Sequence, residues 1–214
     1  MIMGIAFLLS GVLVTAFLMV IAKRITALIR AFMLQSACLF LYTLGIAVSM
    51  KHTELLVICG LILLLKVIIV PAVLGRIVRR IKVAEELELA VNPQLSLLSA
   101  LLLTWLAYLF THRILSFGGP LESAAFTVAI AIIGIGFFLM FSRMKALSQV
   151  LGLLVMENGI FLAAAAIAGG MPFFTEIALF FDIFVFVIIV EIFVYKVNRL
   201  FTHIDISKMK SLKG

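Results

Sequence analysis

The fold class this chain predicts is all-α, a polytopic membrane protein, and three observations carry that expectation. Of its 214 residues, 65% are hydrophobic and only 13% are charged. Its mean hydropathy of +1.34 lies far above that of a soluble domain. Several apolar runs reach the roughly 17 to 25 residues that cross a hydrocarbon core, and the basic residues gather in alternate connections between them.

Seven spans follow in order: residues 4–22, 27–50, 54–75, 93–110, 122–141, 147–168 and 174–196. They divide into an N-terminal part of four helices, residues 1–110, and a C-terminal three-helix part with a basic tail, residues 111–214. Asn92-Pro93 reads as an N-cap followed by proline in the first turn of the fourth span, and Pro120-Leu121-Glu122 does the same for the fifth. The hairpin Gly169-Gly170-Met171-Pro172 separates the last two spans. Between the third and fourth, RRIKVAEELELAVN places basic residues before acidic ones, a pattern that suits a short interfacial helix.

Charge tests the count. Loops one, three and five, the tail and their flanking turns hold Lys23, Arg24, Arg30, Arg76, Arg79, Arg80, Lys82, Arg143, Lys145, Lys196, Arg199, Lys208, Lys210 and Lys213. The opposite loops hold only Lys51 and Arg113. Basic residues concentrate on the cytoplasmic side, so this alternation predicts an external N-terminus and a cytoplasmic C-terminus; the expected location is the cell's inner (cytoplasmic) membrane. The formal charge of +7 thus reports topology and not a nucleic-acid surface. The first span lacks a basic n-region and a small-residue cleavage site, which predicts a retained helix. Cys38 and Cys59 lie in apolar runs without CxxC spacing or nearby histidine, so no cofactor or metal is expected in this chain.

The chemistry lies in the charges inside the apolar runs. A charge at the centre of a membrane helix costs at least ~2.5–3.5 kcal/mol on insertion scales, which makes each one a candidate for function. Glu157 sits near the middle of the sixth span, beside Asn158, and Asp182 near the middle of the seventh, among phenylalanines. Carboxyl groups in that setting can bind and release protons during turnover; the lesser alternative for Glu157 is a carboxylate that only bonds a neighbouring helix. Lys66 is the third deep charge, either a proton relay or a structural counter-charge. Possible supporting residues are Glu191, nine residues beyond Asp182 and so about 13 Å further along the helix, Gln35 in the second span, and Asn158. Gly152 and Gly159, with Ala163 and Ala166, give the sixth span a small-residue side for close packing. Gly134 and Gly136 read as helix packing and not as a dinucleotide fingerprint. His52, His112 and His203 are expected in loops or the tail. An internal echo is also visible, spans one to three against five to seven, with Gln35 placed much as Glu157 is.

Those residues carry a resemblance. The run from Gly152 to Leu162, GLLVMENGIFL, followed by a hairpin and a helix with a central acid, resembles the K subunit of respiratory complex I and the C subunit of multisubunit sodium/proton antiporters, over residues 123–196. The whole chain, with four further N-terminal spans and a lysine in the third, is similar to component E of hydrogenase 4 and formate hydrogenlyase complexes. The resemblance implies a noncatalytic subunit of an energy-converting oxidoreductase complex, with Glu157 and Asp182 as the two membrane acids that take part in proton or sodium translocation. Asp182 departs from the glutamate usual at that place. Implied partners are antiporter-like membrane subunits, an anchor like the H subunit of complex I, and peripheral iron-sulfur and hydrogenase subunits. An antiporter subunit without a redox partner and a structural spacer between larger subunits are the alternatives.

Overall fold

The computed structural model describes residues 2–50, 53–81, 92–114 and 119–168. Helices α1 (Ile2–Ile21) and α2 (Ile25–Met50) form a first antiparallel hairpin. The third membrane rod has three parts, α3 (Thr53–Ile62), a π-helical segment (Leu63–Ile69) and α4 (Val70–Ile81). Helix α5 (Pro93–Ile114) follows, and α6 (Pro120–Ser142) and α7 (Ala146–Ala168) form a second hairpin. The described residues are helical apart from short connections. Among the described residues six rods are long and apolar enough to cross a membrane, and the chain is a multi-pass membrane protein. The expected seventh span, with Asp182 and Glu191, lies outside the described residues, as does the 82–91 connection.

The two hairpins build the centre. Helix α1 packs on α6 and α2 on α7, while the third rod lies against α2 and α5 lies on the outer side of α6 and α1. Leucine and isoleucine fill the interior: Leu28, Phe32, Leu39, Ile132, Ile135 and Leu139 are essentially inaccessible. Large apolar side chains also cover the outside, among them Phe7, Leu98, Trp105, Phe137 and Phe141, which is the surface expected of helices solvated by lipid. Helix α5 is the least covered of the rods and α7 the most.

Helices α6 and α7 make the tightest contact because glycines face backbone across it. A Cβ on Gly136 would lie 2.5 Å from Met156 N, one on Gly152 2.7 Å from Met140 N, and one on Gly159 2.8 Å from Ile133 N. These distances leave no room for a side chain, so the absence of one lets the two backbones approach. Gly134 is different. Its Cβ would meet only the Leu103 side chain of α5, at 3.4 Å.

Arg143 corrects an expectation. In the sequence it reads as a loop residue that marks topology, yet its side chain is buried and caps the C-terminus of α1. Its Nη1 donates to Ala22 O at 3.1 Å, and its Nη2 donates to Met19 O at 3.1 Å and Val20 O at 2.8 Å. The last carbonyls of a helix have no partner within it and carry its negative dipole end, and a guanidinium satisfies both needs. Burial draws this guanidinium down to about 10, still protonated at neutral pH. The cap also places the ends of α1 and α6 together, so these helices run parallel. The histidine expectation is corrected as well: His112 belongs to the last turn of α5, with its ring 4.3 Å from that of Tyr108.

The start of α6 is as expected. Gly119 is the extended N-cap and Pro120 opens the helix, where proline sacrifices no intrahelical hydrogen bond. At α5, Asn92 supplies the first backbone acceptor, for Ser96 N at 2.9 Å. The third rod runs further than the expected 54–75, through Ile81. The arginines Arg76 and Arg79 therefore extend the helix beyond the apolar stretch, with exposed side chains that can reach the headgroup level.

Candidate functional site: a buried polar cluster between four helices

Helix geometry puts four singled-out side chains at one depth. Counting about 1.5 Å per residue from the ends that carry the basic loops, Gln35 is about 15 Å into α2, Glu157 about 17 Å into α7, and Lys66 about 20 Å from Arg79 on the third rod. All lie near the middle of the apolar layer. Their neighbour Ser36 and the adjacent Asn158 share that level, and all five side chains are buried, Lys66 and Glu157 with 2% exposure each.

Asn158 is the junction. Its Oδ1 accepts a hydrogen bond from Lys66 Nζ at 3.0 Å. Its Nδ2 donates to Gln35 Oε1 at 3.1 Å and Ser36 Oγ at 3.3 Å. A lysine ammonium only donates, so the amide oxygen must face Lys66 and the amide nitrogen must face α2. Gln35 Nε2 in turn donates to the Val12 carbonyl of α1 at 3.4 Å. The same carbonyl accepts from Thr15 Oγ1 at 2.8 Å. One polar line thus crosses α1, α2, α7 and the third rod inside an otherwise apolar core.

Lys66 Nζ also stands 4.0 Å from Glu157 Oε1 and 5.9 Å from the centre of the Phe161 ring. Opposite charges one helix apart in a low dielectric attract strongly, and the aromatic face adds a smaller favourable term. The ammonium is therefore held by a carboxylate, an amide oxygen and a ring. Lone ions at this depth would be prohibitive, whereas a neutralised pair with hydrogen-bonded neighbours is tolerated.

The helix carrying Lys66 is unusual there. Across Leu63–Ile69 the backbone is π-helical, and Val70 N–H donates to Leu65 O, five residues back. Such wide turns recur at functional sites.

Of the site residues expected from sequence, Lys66, Glu157, Asn158 and Gln35 come together; Asp182 and Glu191 lie outside the described residues. Sequence reasoning misses Ser36 and the π segment. A serine in an apolar helix commonly bonds its own preceding turn, and nothing in its spacing marks it as an exception. The π segment does have a signal: Pro71, just beyond it, cannot supply the α-helical hydrogen bond to Val67 O. Among the described residues, no group of three or more His, Cys, Asp or Glu gathers to hold a metal ion.

The chain is 26% identical over 208 residues to the uncharacterized protein Rv0085 of Mycobacterium tuberculosis, a match that covers 97% of this chain and 94% of the relative. No family model matches the chain, and no solved structure matches it.

Proposed function

We propose that this chain is a noncatalytic membrane subunit of an energy-converting complex of the hydrogenase 4 or formate hydrogenlyase type, in which Lys66 and Glu157 form part of a proton- or sodium-transfer path. Electron transfer in partner subunits would bias the protonation of the pair. The observation that carries the proposal is the buried cluster itself: a cation and a carboxylate 4.0 Å apart near mid-membrane, joined through Asn158 to a polar line across four helices. A path needs groups that exchange protons and neighbours that reorient hydrogen bonds. Lysine, carboxylate, amide and hydroxyl supply both.

Asp182 extends the path on the seventh span, with Glu191 at its far end. That span, an external N-terminus and a cytoplasmic C-terminus, and insertion in the inner membrane belong to the proposal on the sequence pattern alone. The partners belong to it on the family resemblance: antiporter-like subunits, an H-subunit-like anchor, and peripheral iron-sulfur and hydrogenase subunits.

A structural spacer is the second reading, favoured by the full hydrogen bonding of Asn158, which suits a fixed tie as well as a relay. Sealed vesicles containing the assembled complex separate the two. Glu157→Gln preserves size and removes the exchangeable proton. The proposal expects pH-gradient formation to fall to background while the complex still assembles. Unchanged electron transfer together with an unchanged gradient would leave the spacer. A gradient exchanged for sodium without any electron donor would favour a subunit of a cation/proton antiporter.

A further inference from the structure

We infer that Pro71 is a positioning residue for the Lys66, Glu157 and Asn158 cluster, acting through the π-helical turn of the rod that carries Lys66. In an α-helix the N–H of residue 71 would bond the carbonyl of Val67. Proline has no N–H, and its ring crowds that carbonyl. The backbone immediately before it is widened over Leu63–Ile69, with Val70 N–H reaching back to Leu65 O. Proline and a π-bulge are both known interruptions of the helical hydrogen-bond ladder, and here the two adjoin.

The burial pattern shows what the wide turn does for the side chains. Ile62, Lys66, Val70 and Leu74 are all buried, one every four residues. In a straight α-helix each step of four overshoots a full turn by about 40°, so three steps would carry the face about 120° around the rod. Lys66 would stand about 80° away from Leu74. A wider turn takes more residues per revolution and keeps the four in line. Leu74, Ile77 and Val78 anchor α4 in the core, so the register of the turn before them decides where Lys66 points. Leu63, Leu64 and Ile68, around Lys66, face outward. Closing the turn would swing the ammonium toward that side and away from Asn158 and Glu157.

As a statement about geometry the inference stands on these neighbours. As a statement about proton movement it rests on the function proposed above. The experiment separates them. The full-length chain in phospholipid bilayers, labelled with 15N at lysine Nζ and 13C at asparagine, is measured by solid-state NMR for a cross-peak between Lys66 Nζ and Asn158 Cγ. Lys66→Met assigns the cross-peak by abolishing it. The cross-peak is expected in the wild type and is expected to vanish in Pro71→Ala, which restores the N–H and lets the turn close. Pro71→Ser, which likewise restores the N–H, is expected to remove the cross-peak as well. It serves if Pro71→Ala fails to insert. A cross-peak that persists in either variant overturns the inference and leaves the proton-transfer proposal untouched. Its disappearance in Pro71→Ala, while the assembled complex still builds its gradient, upholds the positioning role and counts against the proton-transfer proposal.

Discussion

Removing Lys66 while keeping Glu157 sets a buried carboxylate beside an apolar side chain. The pair is 4.0 Å apart, and at an effective dielectric of about 20 its attraction is about 4 kcal/mol. Lys66→Met also takes from Asn158 Oδ1 the donor now at 3.0 Å, worth another ~1–3 kcal/mol where nothing replaces it. Glu157 can escape part of this by taking up a proton, which brings the expected loss to about 3–5 kcal/mol. Glu157→Gln strands the ammonium instead, and the amide of Asn158 and the ring of Phe161 soften the effect. Lys66→Met with Glu157→Gln removes both charges, and its cost falls well below the sum of the single changes. The double-mutant cycle should therefore show a coupling of about 2–4 kcal/mol. Unfolding of the full-length chain in mixed micelles by SDS measures it, followed by the fluorescence of Trp105, the single tryptophan, which lies on the outer face of α5. Single effects that add within ~0.5 kcal/mol would refute the ion pair as an energetic unit.

The same assay checks three further expectations. Gly136→Ala puts a methyl 2.5 Å from Met156 N and 2.8 Å from Gly152 O, so α6 and α7 must separate at a cost of about 1–3 kcal/mol; Gly134→Ala meets only a movable leucine and should stay within ~0.5 kcal/mol of wild type. Arg143→Gln removes the cap on α1 and should cost about 3 kcal/mol, with Arg143→Lys recovering part of it; equal stability of all three proteins would show that the cap contributes nothing. Asn158→Leu leaves Lys66, Gln35 and Ser36 each short of a partner and should cost about 2–4 kcal/mol, and adding Gln35→Leu should then cost less than it does in the wild type, a non-additivity whose absence would dissolve the polar line.

Much of this arrangement is legible without coordinates. The spans expected at 122–141 and 147–168 match α6 and α7 within two residues, because proline, glycine and the apolar runs mark membrane helix ends sharply. Lys66, Gln35, Glu157 and Asn158 stand out because polar groups are rare and costly in such runs. Their partners do not. Nothing in the spacing of Lys66 and Glu157, 91 residues apart, announces that they meet. Arg143 misleads because an arginine at a helix end fits a topology signal and a buried cap equally well.

What the sequence alone determined is the class of the molecule and the depth of its charges. Hydrocarbon accepts only internally bonded backbone, so apolar runs of that length become helices, and a rise of about 1.5 Å per residue places each polar group along the membrane normal. Tertiary structure decided which way those groups face. With helices apolar nearly all round, no amphipathic stripe tells α2 from α7 where to turn. Rotation is set instead by backbone contact at Gly136, Gly152 and Gly159, by the Arg143 cap across two helix ends, and by the wide turn that brings Lys66 to Asn158. The cap and the lysine hydrogen bond join residues 92 to 124 positions apart, and so they exist only once the helices have packed.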